Sequence, residues 1–142
     1  MEIRITKISD EAHAVQVNRR DASSEQIELN SRSFLRHDFA HFAVEHEIPL
    51  RAGYWGSVAN GAALGGEIES PEIWLAESLA GPVQTLIRKD SPVARYLEVL
   101  ERVVPDRATS DLAERIYNCG RRLTGHWRAT PYGEFMIIHW AP

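Results

Sequence analysis

The chain has 142 residues, of which 44% are hydrophobic and 25% are charged, a composition typical of soluble globular proteins. This length favours one domain, and the composition argues against disordered, collagen-like and coiled-coil classes. Sixteen basic and twenty acidic residues give a net charge of −4, whereas nucleic-acid-binding domains usually carry a basic surface. The single cysteine, Cys119, excludes an intramolecular disulfide and any Cys-x-x-Cys metal site.

The absence of recognisable targeting signals from the sequence favours a cytoplasmic protein. Its first residues contain no apolar core of signal-peptide length. No run of residues approaches the roughly 18 apolar residues of a membrane span. A lone cysteine also suits a reducing compartment. We therefore expect a cytoplasmic location, with neither a membrane nor a nucleic acid as partner.

The first thirty residues carry strand patterns. Residues 2–8 are rich in β-branched side chains, and residues 12–19 alternate, with His13, Val15 and Val17 on one face. A shorter segment over residues 25–29 directs Ile27 and Leu29 inward. Short polar loops separate the three segments, so we predict an antiparallel β-meander.

The middle of the chain changes to helical periodicity. Apolar spacing predicts helices over residues 34–47, 55–60, 71–89, 92–104 and 110–124. Ser70 and Ser91 each precede a proline and are predicted N-caps, because proline at the first helical position loses no hydrogen bond. Pro82, which follows a glycine, is expected to kink or divide the third helix.

Residues 132–140 form the last predicted strand. Apolar side chains occur on both of its faces, which predicts an interior position in a sheet shared with the meander. The sequence therefore predicts a single α+β domain over residues 1–142. In it, an N-terminal antiparallel β-meander joined by a C-terminal strand packs against about four to five helices.

One motif contains several side chains that can bind a metal ion or accept a proton. Residues 37–45 are His-Asp-Phe-Ala-His-Phe-Ala-Val-Glu. In a helix, His37 and His41 lie on one face with their Cβ atoms about 5–6 Å apart. Two imidazole nitrogens can then bind one ion at about 2.0–2.1 Å, as in HExxH zinc helices. Glu45, one further turn along, is either a third ligand or the acceptor that fixes an imidazole tautomer.

Asp38 occupies the position of the general base in the zinc peptidase motif, although aspartate is one methylene shorter than glutamate. We therefore predict that His37, His41 and Glu45 bind zinc and that Asp38 is the catalytic base. Any further ligand would come from elsewhere in the chain, and the candidates are His126, His139, Glu67, Glu69 and Glu72.

Two other interpretations of this motif stay open. Asp38 and Glu45 could form charge-assisted hydrogen bonds with the histidines and only stabilise the helix. Alternatively, His41 and a carboxylate could perform acid–base chemistry without a metal. The Gly-Tyr-Trp-Gly segment at residues 53–56 is either a pocket wall or a glycine-permitted turn with Trp55 in the core.

The chain also resembles a group of small bacterial proteins in its histidine motif, its glycine turn and its last strand. These proteins share an H-D-x-x-H-x-x-V-E helix, a G-x-W/F-G turn and a C-terminal strand. The matching positions here are His37, Asp38, His41, Val44, Glu45, Gly53, Trp55 and Gly56. The match covers about the first 60 and last 15 residues, and it implies a bacterial, cytoplasmic origin without implying a particular reaction.

Two classes of function fit these observations. The first is a small zinc-dependent hydrolase with a His/His/carboxylate site, in which the metal acidifies a water molecule. The second is a non-catalytic interaction or structural protein whose His-Asp-Glu strip is a hydrogen-bond network. In that case the helical middle, with Trp74, Tyr96 and Leu97, would bind a protein partner or a second copy of the chain.

Overall fold

One layer of the molecule is a four-stranded antiparallel sheet. The computed structural model describes residues 1–141, apart from the side chains of Ser33 and Phe34. The strands are β1 (Glu2–Lys7), β2 (Ala12–Asn18), β3 (Ser24–Asn30) and β4 (Phe135–His139). Their order is β3-β2-β1-β4, which confirms the predicted meander and the return of the last strand to it.

The alternation of the strands buries one face of the sheet. Ile3 pairs with Val17 and Ile5 with Val15 across β1 and β2, and all four side chains are buried. His13 lies on the same face and is fully buried. This face is the part of the sheet against which the helices pack.

The last strand lies at the edge of the sheet, which corrects the predicted interior position. β4 pairs with β1 alone among the described strands. Its inner side chain Met136 is buried, whereas Phe135 and His139 on the other face are exposed. The guanidinium of Arg4 lies 4.3 Å from the centre of the Phe135 ring and covers this apolar side chain.

Five α-helices within the described residues form the second layer, as the α+β prediction requires. They are α1 (Arg36–Glu47), α2 (Tyr54–Ala59), α3 (Pro71–Arg88), α4 (Ala94–Val103) and α5 (Ser110–Ala129). A π-helical turn over Ser31–Leu35 precedes α1, so the α-helix itself begins two residues later than predicted. None of the described helices has the length and apolar character needed to cross a membrane.

The predicted helix caps and the predicted helix break agree with the structure only in part. Ser70 caps α3 as predicted, since its Oγ accepts from the backbone N–H of Ile73 at 3.1 Å. The predicted cap at Ser91 is wrong, because α4 begins three residues later. Pro82 does not divide α3, and the preceding Gly81 has no Cβ to crowd the proline ring.

The first helix, α1, is a core helix that packs against α2, α3 and α5. Every residue from Phe39 to Glu45 is buried, so the burial runs around the whole circumference. A helix buried on all sides normally carries apolar residues alone. The buried His41 and Glu45 of α1 therefore need polar partners on the neighbouring elements.

Candidate metal centre

His37 and His41 of α1 face each other across one helical turn, as predicted. Their Nε2 atoms are 3.2 Å apart, and the ring centres are 4.6 Å apart. The side chain of His41 is 6% exposed and that of His37 is 33% exposed. The pair therefore points to the edge of the core, where one imidazole is enclosed and the other reaches water.

The third member of the cluster is Glu77, which α3 supplies. Its Oε2 lies 3.3 Å from Nε2 of His37, and its Oε1 lies 3.2 Å from Nε2 of His41. Two turns further along α3, Oε1 of Gln84 accepts from Nδ1 of His37 at 3.2 Å. Residues seven apart share a helix face, so antiparallel packing of α3 on α1 brings both side chains to the histidines.

Glu45 lies on the opposite side of His41. Its Oε1 accepts from Nδ1 of His41 at 3.1 Å and from the backbone N–H of Tyr54 at 3.0 Å. Its Oε2 accepts from the backbone N–H of Trp55 at 2.9 Å. The carboxylate is fully buried and satisfies two free N–H groups at the start of α2, where a negative charge is favoured. This geometry matches the tautomer-fixing role rather than the ligand role predicted for Glu45.

The Gly-Tyr-Trp-Gly segment is shaped by close contacts with its surroundings. A Cβ at Gly53 would lie 2.5 Å from Oε2 of Glu45, and one at Gly56 would lie 2.4 Å from the carbonyl oxygen of Arg51. Trp55 is buried, and its Nε1 donates to the carbonyl of Asp38 at 3.2 Å. The segment is thus a tight turn with Trp55 in the core, one of the two predicted alternatives.

The hydrogen bonds made by Nδ1 of each ring direct the two Nε2 atoms toward each other and toward the carboxylate of Glu77. A carboxylate can only accept, so Nδ1 of His41 carries the proton toward Glu45, and Nδ1 of His37 likewise donates to Gln84. In the neutral rings both Nε2 atoms are then lone-pair acceptors that face each other and Glu77. The two Nε2 atoms and the Glu77 carboxylate can therefore share a cation, either a proton or a metal ion.

The electrostatics of His41 agree with a site that attracts positive charge. Burial alone would lower the pKa of this imidazole. The hydrogen bond and charge of Glu45, together with the charge of Glu77, outweigh burial and raise the pKa above its usual value. The same negative groups would stabilise a bound divalent cation.

The distances within the cluster allow its three residues to share one metal ion. In a tetrahedral site with bonds of about 2.0–2.1 Å, two ligand atoms lie about 3.3–3.4 Å apart. Nε2 of His41 lies 3.2 Å from Nε2 of His37 and from Oε1 of Glu77, while the other oxygen of Glu77, Oε2, lies 3.3 Å from Nε2 of His37. One donor atom from each of these residues lies within 4.8 Å of the others, so the group could hold a metal ion. Glu77 is 48% exposed, which leaves room for a water ligand.

Asp38, the predicted base, lies beside the cluster but outside the three-residue group. Burial raises the pKa of its carboxyl to about 6, and the nearby His37 and His41 act in the opposite direction. A carboxyl whose pKa is raised toward the working pH is suited to accept and return a proton.

The sequence analysis found both histidines and missed Glu77. None of the five distant candidates joins the cluster among the described residues, and Glu72 instead accepts from the backbone N–H of Ala52 at 2.6 Å. The sequence does place Glu77 and Gln84 seven residues apart, and therefore on one helix face, with the small Ala80 between them. A polar pair on a small-residue face allows close approach of another helix, but it does not identify which helix.

Comparisons of the chain with protein-family models, with curated proteins and with solved structures gave no match. The resemblance to small bacterial proteins that share the helix and turn motifs therefore stays a prediction. Functional inference rests on the geometry of the site itself.

Proposed function

We propose that the protein is a small zinc-dependent hydrolase, with His37, His41 and Glu77 as the zinc ligands. The observation that supports this proposal is the convergence of one donor atom from each of His37, His41 and Glu77 to within 4.8 Å of one another. Two imidazoles and one carboxylate are a known catalytic zinc set, with water at the fourth position. The partial exposure of His37 and Glu77 gives a substrate access to that position.

Each neighbouring residue has a distinct task in this proposal. A bound zinc ion would lower the pKa of a water molecule to about 7 and polarise the bond under attack. Glu45 holds the His41 ring in the orientation that directs Nε2 at the ion. Asp38 takes the proton from the attacking water and returns it to the leaving group.

The first experiment measures metal content by elemental mass spectrometry on untagged protein. We expect about one equivalent of zinc in the native chain and none in His41→Ala, because His41 supplies one of only three protein ligands. Glu77→Gln should bind zinc at least about tenfold more weakly, since it loses the anionic ligand.

Two matched variants control for general effects of substitution. His139→Ala removes an exposed histidine of β4, and Glu98→Gln removes an exposed carboxylate of α4. Both should keep the full zinc content. Absence of metal from the native protein, together with no uptake on zinc titration, would overturn the proposal and leave the cluster as a structural hydrogen-bond network.

The hydrolytic step is tested separately with zinc-loaded protein and chromogenic carboxylic and phosphate esters. We expect Asp38→Asn to retain zinc and to lose hydrolysis by about 100-fold or more, the usual contribution of a general base. Equal rates for Asp38→Asn and the native chain would remove Asp38 from the mechanism. No hydrolysis of any ester by the zinc-loaded native chain would contradict the hydrolase function.

A further inference from the structure

A concave surface lies on the side of α1 that faces α5. A cavity of about 660 Å³ opens between the beginning of α1, the end of α5 and the β1–β2 turn. Its volume falls within the range of about 300–1,000 Å³ that is usual for small-molecule sites. A narrow extension of about 20 Å³ continues toward α3, and Arg36, Phe39, Thr124 and Arg128 line both parts. The two parts together are called the basic groove below.

The charge of the basic groove opposes the charge of the whole chain. Among the described residues its lining includes a single carboxylate, Asp10, which accepts a hydrogen bond from the hydroxyl of Tyr132. Five cationic side chains face it, namely Lys7, Arg32, Arg36, Arg88 and Arg128. Since the protein carries a net charge of −4, this concentration of positive charge is local.

Most of these guanidiniums have no partner on the protein. Arg32 pairs with Glu11 at 2.9 Å on the exposed surface. Within the part of the chain that the structure describes, Arg36, Arg88 and Arg128 form no ion pair and no side-chain hydrogen bond. Guanidinium groups bind phosphate through paired N–H donors, so three free ones around a concave surface favour a phosphate group over a singly charged anion.

The groove also offers rigid apolar surface. Nζ of Lys7 donates to the carbonyl of Trp127 at 2.5 Å and lies 4.6 Å from the centre of its ring, which fixes both side chains. Phe39 forms part of the inner wall, and Tyr132 is 61% exposed at the rim. A ligand with an aromatic or apolar part next to its phosphate would contact both kinds of surface.

The narrow end of the groove lies on the Nδ1 side of His37, away from the Nε2 atoms of the cluster. Gln84 lines this end, and the same side chain accepts from Nδ1 of His37 at 3.2 Å. One amide therefore separates the groove from a proposed zinc ligand.

We propose that the basic groove binds a small phosphorylated molecule, which its unpaired guanidiniums recognise through the phosphate group and its aromatic wall through an adjoining apolar part.

The binding site is tested on EDTA-treated His41→Ala protein, so that the result does not depend on a metal. Titration with phenyl phosphate is followed by calorimetry, beside benzoate as a singly charged analogue. We expect saturable binding of phenyl phosphate, tighter than that of benzoate by about tenfold, because charge-assisted hydrogen bonds to phosphate are more numerous. Arg36→Gln and Arg128→Gln should each weaken it by about tenfold or more. Arg95→Gln, at an exposed position of α4, is the matched control and should have no effect.

The possible outcomes separate this inference from the proposed function. No binding, equal binding of benzoate, or equal losses in Arg36→Gln and Arg95→Gln would overturn the inference, and the zinc measurement would be unaffected. Binding that depends on Arg36 and Arg128 would support the groove as a phosphate site, whether or not the native chain takes up zinc.

Discussion

At the residue scale, Glu45 explains why the histidine motif and the glycine turn occur together. Its carboxylate links His41 to the first N–H groups of α2, and no atom larger than hydrogen fits at Gly53 beside it. The N–H groups of Tyr54 and Trp55 would lose their acceptor in the core if Glu45 were removed, and unsatisfied buried donors are costly. Orientation of His41 and folding of the turn therefore depend on one side chain.

The substitution Glu45→Gln tests this double role. An amide keeps one acceptor oxygen but places its NH₂ group against donors, so we expect a loss of about 1–3 kcal/mol in the free energy of unfolding. Zinc affinity should fall by about 10–100-fold, the usual effect of removing the partner of a metal-binding histidine. Chemical denaturation and a competitive zinc titration measure the two effects.

Glu47→Gln provides the comparison on the same helix, because Glu47 pairs with Arg115 of α5 at 3.0 Å, away from the cluster. This variant should keep its zinc affinity. If Glu45→Gln also bound zinc as tightly as the native chain, the proposed control of the His41 ring by Glu45 would be disproved.

At the scale of elements, the site depends on how closely the helices approach. Gly120 of α5 is buried, and a Cβ there would lie 2.7 Å from Cδ1 of Ile87 on α3. Both helices also pack on α1. The contact between α3 and α5 therefore helps to position α3, which carries Glu77, against the histidines of α1.

Substitution of two glycines of α5 measures the effect of helix propensity apart from the effect of packing. Gly125 is exposed and a Cβ there would contact nothing within 4 Å, so Gly125→Ala should stabilise the protein by about 0.5–1 kcal/mol. Gly120→Ala gains the same propensity but forces Ile87 from its rotamer, which costs about 0.5–1.5 kcal/mol and removes the gain. Thermal unfolding of both variants measures the difference. Equal stabilisation by the two substitutions would mean that α3 and α5 do not meet closely at Gly120.

At the scale of the whole molecule, a second buried histidine lies in the main core. His13 of β2 is fully buried, and its Nδ1 hydrogen bonds with the Ser31 hydroxyl at 2.9 Å. Its Nε2 has no partner among the described residues, and the ring lies edge-on to Trp127 at 6.0 Å. Burial lowers the pKa of His13 to about 4, so the native protein holds this ring neutral.

This arrangement makes the stability of the fold depend on pH. Between about pH 6.5 and pH 4 the unfolded chain binds a proton at His13 that the native protein does not, so stability falls as the pH falls through this window. The contribution is at most about 3 kcal/mol for one group. Denaturation of the native chain and of His13→Asn across this range should show a stability difference that decreases toward acid pH.

A direct measurement complements the variant. The ring protons of His13, followed by NMR in the native protein, should titrate near pH 4. A His13 ring that titrates near pH 6.5 would contradict the role of burial, whether or not His13→Asn folds.

Sequence patterns predicted the structure correctly where residues close together in the chain determine it. The alternation of β1 and β2, the serine cap of α3 and the one-turn spacing of His37 and His41 were all visible in the sequence. Prediction was wrong where a distant segment decides. Apolar side chains on both faces of the last strand predicted an interior position, but at the sheet edge Arg4 from β1 covers the ring of Phe135. Ser91 resembled a cap, but α4 begins beyond it.

The sequence by itself determined the α+β class, the meander and the presence of two histidines able to share one ion, because period-2 and period-3.6 patterns are local properties of the chain. Only the tertiary structure decided that Glu77 completes the cluster and that Glu45 orients His41 from the other side. Glu77 lies thirty-six residues from His41 and reaches it through the packing of α3 on α1. Such packing depends on the combined shapes of several helix faces, which no single stretch of sequence contains.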